Sequence, residues 1–155
     1  MHFFTSLSVA AALLPLVHAV GHAIIYNNCT DTIYIWSVGS SVGPAQTLKT
    51  SEDYTEQYRQ DNITGGISIK ITRTAGGLFD GSPQTNFAYT LDNNNHVWYD
   101  ISDVYGDPFV NNTVQLVPTD PSCPVITWEN GVPPTGSQTA VCRADSDVQL
   151  SLCTH

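Results

Sequence analysis

Trp98 and Asp100 stand two residues apart in the run Val97-Trp98-Tyr99-Asp100-Ile101, where apolar side chains alternate with others. Residues two apart in an extended strand project from the same face, so this spacing places an indole beside a carboxylate. Aromatic faces suit the apolar faces of sugar rings, and carboxylates accept hydrogen bonds from sugar hydroxyls. The pair therefore predicts a shallow groove that binds polysaccharide. Further acids that nearby turns could add to this groove are Asp80, Asp103 and Asp107.

Val20-Gly21-His22 offers a different chemistry if the N-terminal segment is removed. A cut after Ala19 makes His22 the third residue, where the terminal amine, two backbone amides and the imidazole can enclose Cu(II) or Ni(II) in a square plane. A cut after Gly21 leaves His22 at the terminus, and a copper site there needs a second histidine. The histidines available for that are His96 and His155. The alternative is a histidine at a strand edge without metal.

Residues 1–19 predict a signal peptide, because a short polar start leads into an apolar block with small residues near its end. The block is too short to cross a bilayer. A buried helix is the alternative, but the segment lacks an amphipathic period. We expect cleavage after Ala19 and one domain over residues 20–155, with no hydrophobic tail after Cys153.

An exported chain meets oxidising conditions, so its four cysteines predict two disulfides, with three pairings open. The chain contains no Cys-x-x-Cys pair, which argues against zinc binding or thiol redox chemistry. Export also makes Asn-x-Ser/Thr triplets candidate glycosylation sites. They begin at Asn28, Asn62 and Asn111. Any of them can stay unoccupied, and Asn28 is the weakest because its neighbour Cys29 is expected to be bonded.

Acids outnumber bases by 14 to 5, giving a formal net charge of −9. Nucleic acid and anionic membrane surfaces are poor partners for such a chain. Neutral polysaccharide, cationic polymers and metal ions remain open, and solubility in an acidic medium is the simplest reason for the charge.

Alternating apolar side chains predict strands throughout. The clearest amphipathic strands cover 66–73, 87–91, 97–101 and 148–152. The more uniformly apolar 23–26 and 32–38 are expected to be covered on both faces, and shorter strands are expected over 54–58, 113–117 and 139–142. Trp36 is expected in the core because its neighbours are apolar. Many short strands separated by turns predict an all-β sandwich with one core and no helix.

Three parts of the chain resemble thaumatin-like proteins. They are Ala23–Cys29 followed by Thr32–Trp36, then Phe87–Leu91 followed by Tyr99–Pro108 with its Tyr-Asp-x-Ser signature, and the closing Val148–Cys153. A more specific set of runs is similar to the fungal Blastomyces yeast-phase-specific family of antigenic thaumatin-like proteins. Those runs are Trp36–Pro44, Gly66–Lys70, Asp80–Thr85 and Asn130–Pro134.

The resemblance implies a secreted or surface-associated fungal protein, and it implies that Cys29 pairs with Cys153 and Cys123 with Cys142. In larger thaumatin-like proteins an acidic cleft is associated with β-glucan binding and, in some, weak hydrolysis. Asp100 matches one cleft acid, but Tyr105 and Ala88 stand where two others are expected. Hydrolysis needs two carboxyls across the scissile bond.

We therefore expect a monomeric binding protein for cell-wall carbohydrate, or a surface antigen, rather than an enzyme. The alternatives are a weak β-glucan hydrolase that combines Asp100 with a turn acid, and an extracellular copper protein that uses His22. The simplest alternative is a purely structural role, in which Asp100 accepts a backbone hydrogen bond at a turn and the other acids are solvated.

Overall fold

The computed structural model describes residues 19–154, so the predicted signal peptide, apart from Ala19, and His155 lie outside the described residues. The described part contains eleven strands and no helix. In chain order they are β1 His22–Asn27, β2 Ile33–Val38, β3 Gln46–Leu48, β4 Asp53–Gln57, β5 Ile67–Thr72, β6 Gln84–Leu91, β7 His96–Val104, β8 Thr113–Pro118, β9 Ile126–Trp128, β10 Thr139–Arg143 and β11 Val148–Thr154.

The strands form two sheets that pack face to face. One sheet has the order β4-β1-β11-β8-β9 and the other has the order β10-β7-β6-β5-β2-β3. The first strand, β1, pairs in parallel with the last strand, β11, and every other pair is antiparallel. The all-β sandwich predicted from the alternation is confirmed.

All nine predicted strands are present, while the three-residue strands β3 and β9 were not predicted. The expectation that 23–26 is covered on both faces is wrong. In β1, buried residues alternate with half-buried ones, because this sheet has an outer face partly open to solvent. β7 is longer than expected and continues to Val104, which removes Asp103 from the predicted turn.

The core lies between the sheets and is built from the inward residues of both. In the larger sheet, Ile69, Phe87 and Ile101 stand directly opposite one another on neighbouring strands and are at most 1% exposed. In the smaller sheet, Ile25 pairs with Leu150 in the same buried layer. Because these strands are buried on one face, a slip of one residue would expose the whole apolar set, which fixes the register.

Both disulfides implied by the resemblance are confirmed. Cys29 is bonded to Cys153 with their Cα atoms 4.9 Å apart, and Cys123 is bonded to Cys142 at 5.5 Å. The first bond joins the loop after β1 to the last strand and is almost fully buried. The second bond ties β10 to the loop before β9.

Candidate functional site

The outer face of the larger sheet carries Trp98 and Asp100. Val97, Tyr99 and Ile101 of β7 point into the core, so the residues between them point outward. The side chain of Trp98 is 45% exposed, and that of Asp100 is half-buried. The prediction that the two share one strand face is therefore confirmed.

A straight row of small side chains crosses this face beside Trp98. From strand to strand the directly paired residues are Val38, Ser68, Ala88, Asp100 and Thr139. The row crosses five strands, which gives it a length of about 19 Å at the usual spacing of neighbouring strands. Larger side chains flank it, with Trp98 on one side and Trp36 and Lys70 on the other. Small residues between larger ones leave a depression along the row.

Three hollows follow this row and share residues with their neighbours. A hollow of about 150 Å³ holds Trp98 and Asp100, and it meets one of about 310 Å³ at Ala88 and Thr90. On its other side, Asp100 and Thr139 are shared with a hollow of about 280 Å³ that extends under the 133–138 loop. We call these joined hollows the outer trough. Its defining residues are Val38, Ser68, Ala88, Trp98, Asp100 and Thr139.

Gly66 lines one end of the outer trough and lies close against β6. A Cβ at this position would lie 2.3 Å from Oγ1 of Thr90 and 2.9 Å from the carbonyl oxygen of Tyr89. These distances are shorter than van der Waals contact, so a larger residue at position 66 would push β6 away from the loop that precedes β5. Close backbone approach explains the glycine, which lines the hollow of about 310 Å³.

Asp100 has a carboxylate that no group in residues 19–154 satisfies with a hydrogen bond. Partial burial raises its pKa above the ordinary value of 3.8, because removal of water disfavours the charged form. The alternative, a hydrogen bond from the backbone to Asp100 at a turn, is wrong, because Asp100 lies within β7 and its carboxylate accepts no such bond in the described structure. A carboxylate in this position can accept hydrogen bonds from a ligand without losing any from the protein.

Asp92 holds the Trp98 indole, a role that sequence reasoning missed. Nε1 of Trp98 donates to Oδ2 of Asp92 at 3.2 Å, while Oδ1 of Asp92 accepts from the backbone amides of Asn94 and His96 at 2.8 and 3.0 Å. The hydrogen bond from the His96 amide is the largest of the causes that lower the Asp92 pKa to about 2. The signal in the sequence is the Asp-Asn-Asn-Asn turn, in which an aspartate commonly caps the backbone ahead of it.

Asp103 lies on the face of β7 opposite to Asp100. It shares the inward face with Ile101, and its Oδ1 accepts a hydrogen bond of 2.5 Å from Oγ1 of the buried Thr85. Its other oxygen, Oδ2, is buried without a partner in the described structure. Burial, followed by the nearby Asp107, raises the pKa of Asp103 to about 7, although the Thr85 hydrogen bond opposes the shift. Asp103 lines the hollow of about 280 Å³, but its carboxyl is not on the wall that bears Asp100.

Asp80 is separate from the outer trough. Its Oδ1 accepts from the backbone amide and the hydroxyl of Ser82 at 2.9 and 2.6 Å, an arrangement that closes a local turn. Those two hydrogen bonds lower its pKa. Asp80 and Asp107 line none of the three hollows. The predicted groove therefore contains Trp98 and Asp100, but the structure does not bring all the turn acids together there.

Among the described residues, no second acid lines the hollow that holds Trp98 and Asp100, whereas glycoside hydrolysis needs two carboxyls across the scissile bond. In the hollow that holds Trp98, Asp100 is the acid, and the adjoining hollow adds Asp103 with one carboxyl oxygen buried. Asp103 has the raised pKa expected of a general acid, but the opposite orientation of its side chain separates it from the Trp98 wall. The hydrolase hypothesis gains no geometric support.

Trp36 is 4% exposed, so its expected burial is confirmed, but it lies outside the core between the sheets. It projects outward from β2, since its neighbour Ile35 points inward. Phe79 covers it edge-on, with ring centroids 6.4 Å apart. The loop between β5 and β6 thereby shields an indole that would otherwise be open to ligand.

The copper hypothesis for His22 requires groups that are already hydrogen-bonded. The Gly21 amide donates to the carbonyl of Ala144 at 2.8 Å, and the His22 amide donates to Oδ1 of Asp147 at 2.8 Å. Nδ1 of His22 lies 2.9 Å from the same carboxylate oxygen. A square-planar copper ion would have to displace these contacts, and copper binding stays a prediction.

Other potential metal ligands in the described part of the chain offer no better site. His96 places Nδ1 3.2 Å from Oδ2 of Asp92. Among residues 19–154, Asp120 groups with Cys123 and Cys142, but the two sulfurs are bonded to each other and are not thiolates. No helix in the described part is long and apolar enough to span a membrane.

The three glycosylation triplets differ in their surroundings. Asn62 and Asn111 are exposed, and Asn62 precedes Thr64 at the rim of the outer trough. Asn28 is half-buried, and its amide nitrogen donates to the carbonyl of Cys153 at 2.9 Å. Occupancy stays a prediction for all three, and Asn28 has the least accessible amide.

Known proteins share both the sequence pattern and the architecture. The family model described as Blastomyces yeast-phase-specific protein matches residues 10–154. An antigenic thaumatin-like protein of Arthroderma benhamiae is 35% identical over 96% of this chain and 80% of its own length. The secreted thaumatin-like protein calA of Emericella nidulans is 31% identical over 81% of this chain and 74% of its own length.

Solved structures extend the comparison to three dimensions. The protein elicitor MoHrip2 from Magnaporthe oryzae is similar with a TM-score of 0.71 at 26% identity, covering 86% of this chain and 99% of that one. The thaumatin-like xylanase inhibitor TLXI has a TM-score of 0.59 at 15% identity, covering 85% and 99%, and this likeness shows the fold alone. The fold is thaumatin-like, as the resemblance implied.

Proposed function

The chain belongs to the Blastomyces yeast-phase-specific protein family and is a secreted thaumatin-like protein, and we propose that it binds a linear cell-wall polysaccharide in the outer trough. The observation that carries the proposal is an exposed indole beside a carboxylate with no hydrogen bond from the described protein, both on the wall of an open depression. A sugar polymer can place the apolar face of a ring against the indole and donate hydrogen bonds from its hydroxyls to the carboxylate.

The shape of the outer trough favours a chain rather than a single sugar. The depression runs across five strands as a series of adjoining hollows, so it offers space for more than one sugar ring. The strands that form its floor also form the core, which keeps the floor rigid without a ligand. A preformed surface loses little conformational entropy on binding.

Retention on insoluble polysaccharide tests the proposal. Purified protein is mixed with β-glucan, chitin, chitosan or mannan, and the bound fraction is compared for the natural chain, Trp98→Ala and Tyr105→Ala. Tyr105 is a matched control, because it is an aromatic side chain 74% exposed that lines none of the three hollows. We expect Trp98→Ala to weaken binding about 10-fold or more, as for a central aromatic contact. Failure of every polymer to retain the natural chain would refute the proposal.

Display as a surface antigen is a second candidate function, favoured by the antigenic relative from Arthroderma benhamiae. The two functions make different demands on Trp98. If polysaccharide holds the protein at the wall, Trp98→Ala should move it from the wall fraction into the medium. If display does not depend on the outer trough, the variant and the natural chain should divide equally between the two fractions.

A further inference from the structure

The charge of the outer trough limits which polysaccharide suits it. The hollow with Trp98 contains Asp100, the hollow under the 133–138 loop adds Asp103, and the third hollow is lined by uncharged residues. Within the described structure, every charged residue that lines the outer trough is thus an acid. A ligand in these hollows therefore meets the carboxylate of Asp100, while Lys70 stands in the row that flanks the trough.

The basic side chains of the protein are engaged elsewhere or lie outside the trough lining. Arg73 and Arg143 form ion pairs with Asp31 and Asp145, and Arg59 donates to Ser37. Lys70 stands in the neighbouring row, where its Nζ donates to Oδ1 of Asn86 at 3.2 Å. The remaining base is the exposed Lys49, which lines none of the hollows. No basic side chain in residues 19–154 is paired with Asp100.

We propose, building on the polysaccharide function above, that the ligand is an amino-sugar polymer with free amino groups, one ammonium pairing with Asp100 while its sugar ring packs on Trp98. The carboxylate of Asp100 is half-buried and has already lost part of its hydration. A charged partner therefore interacts with it more strongly than with a fully exposed acid. The adjacent indole face also attracts a cation through its ring quadrupole. A neutral sugar can offer hydroxyl donors to Asp100, but those hydrogen bonds lack the assistance of charge.

The geometry of the floor is compatible with repeated units. Ala88 and Thr139 are paired with Asp100, and Ser68 is paired with Ala88. All three side chains are small, so a sugar ring can approach the carboxylate from along the row. Thr139 is exposed and directly opposite Asp100 on β10. This contact suggests a substitution that fills the role of the ligand's cation: Thr139→Lys would place an ammonium on the strand next to Asp100.

Calorimetric titration with soluble tetramers of glucosamine, N-acetylglucosamine and β-1,3-linked glucose tests the inference. The natural chain should bind the glucosamine tetramer about 10-fold tighter than either neutral tetramer, the size expected of one charge-assisted contact. Asp100→Asn, which keeps the shape of the side chain, should remove this preference and leave weak binding. Thr139→Lys should remove it as well, and does not depend on how Asp100→Asn folds.

A matched charge control separates the site from the overall charge of −9. Asp53→Asn removes one negative charge on β4, in the other sheet, where the side chain is exposed. It should keep the preference for the glucosamine tetramer. Loss of preference in Asp53→Asn equal to that in Asp100→Asn would overturn the inference in favour of general electrostatic attraction.

The remaining outcomes distinguish the two proposals. If a neutral tetramer binds as well as or better than the glucosamine tetramer and Trp98→Ala weakens it, the amino-sugar inference fails while the polysaccharide function stands. If no tetramer binds and no insoluble polymer retains the protein, both fail. A preference that survives in both Asp100→Asn and Thr139→Lys overturns the inference, because Asp100 would not then be the source.

Discussion

Trp98 is held by Asp92, six residues earlier in the chain, through a hydrogen bond of 3.2 Å from the indole nitrogen to Oδ2. The same carboxylate accepts hydrogen bonds from two backbone amides at the turn between β6 and β7, so it fixes the turn and the indole together. The exposed aromatic ring of the outer trough is therefore oriented before a ligand arrives.

Asp92→Ala should weaken polysaccharide binding about 3- to 10-fold, because the indole would then adopt several orientations and lose entropy on binding. The measurement is the affinity for whichever tetramer the natural chain binds. Asp80→Ala is the control, since Asp80 closes a comparable turn with Ser82 outside the trough. Equal affinity of Asp92→Ala and Asp80→Ala would show that the indole needs no support.

Asp103 should make the folded state less stable as pH rises from about 4 to about 7. Its pKa is raised from 3.8 to about 7, so in this window the folded protein binds more protons than the unfolded chain. Stability falls with pH wherever the folded state holds the extra proton, and the loss is complete above the folded pKa. Because the side chain is partly exposed, solvent moderates the effect, and we expect a change of a few degrees in Tm.

Asp103→Asn isolates this contribution, since the amide cannot ionise and can keep the Thr85 hydrogen bond. Thermal unfolding of the variant and the natural chain should nearly coincide at pH 4, with the variant more stable at pH 7.5. Parallel Tm curves over this range would contradict the raised pKa. Asp53→Asn, at an exposed edge strand, should follow the natural chain.

The two disulfides should differ in what they contribute to stability. Cys29 and Cys153 close a sequence separation of 124 residues, and Cys123 and Cys142 close one of 19. In the loop-entropy model, these separations correspond to about 5 and about 3 kcal/mol. Replacing the first pair by alanine should lower Tm more than replacing the second, as should Cys29→Ala compared with Cys123→Ala. Equal Tm values would refute this order.

Alternation alone predicted much of the fold. Ile67, Ile69 and Ile71 face the core, because alternation puts all three on the same face of the strand and only one face is buried. The start of β6 was missed because Gln84 and Asn86 are polar yet buried, and they bond to each other at 2.6 Å. The strands β3 and β9 were missed because three residues cannot display a period.

Spacing along β7 predicted the shared face of Trp98 and Asp100, but it could not predict the outer trough. The row from Val38 to Thr139 depends on the register between five strands, which no local pattern contains. The prediction placed Asp103 on a turn. Aspartate is depleted in strands, but pairing with β6 extends β7 past this residue to Val104.

The most direct test of polysaccharide binding in the outer trough is the indole region of a two-dimensional ¹H–¹⁵N NMR spectrum during titration with the oligosaccharide that binds best. The protein has three tryptophans: Trp98 is exposed, whereas Trp36 and Trp128 are buried. Trp98→Phe assigns its signal. We predict that the Trp98 indole shifts with saturation while the other two change little. Binding that leaves the Trp98 signal in place would contradict the account.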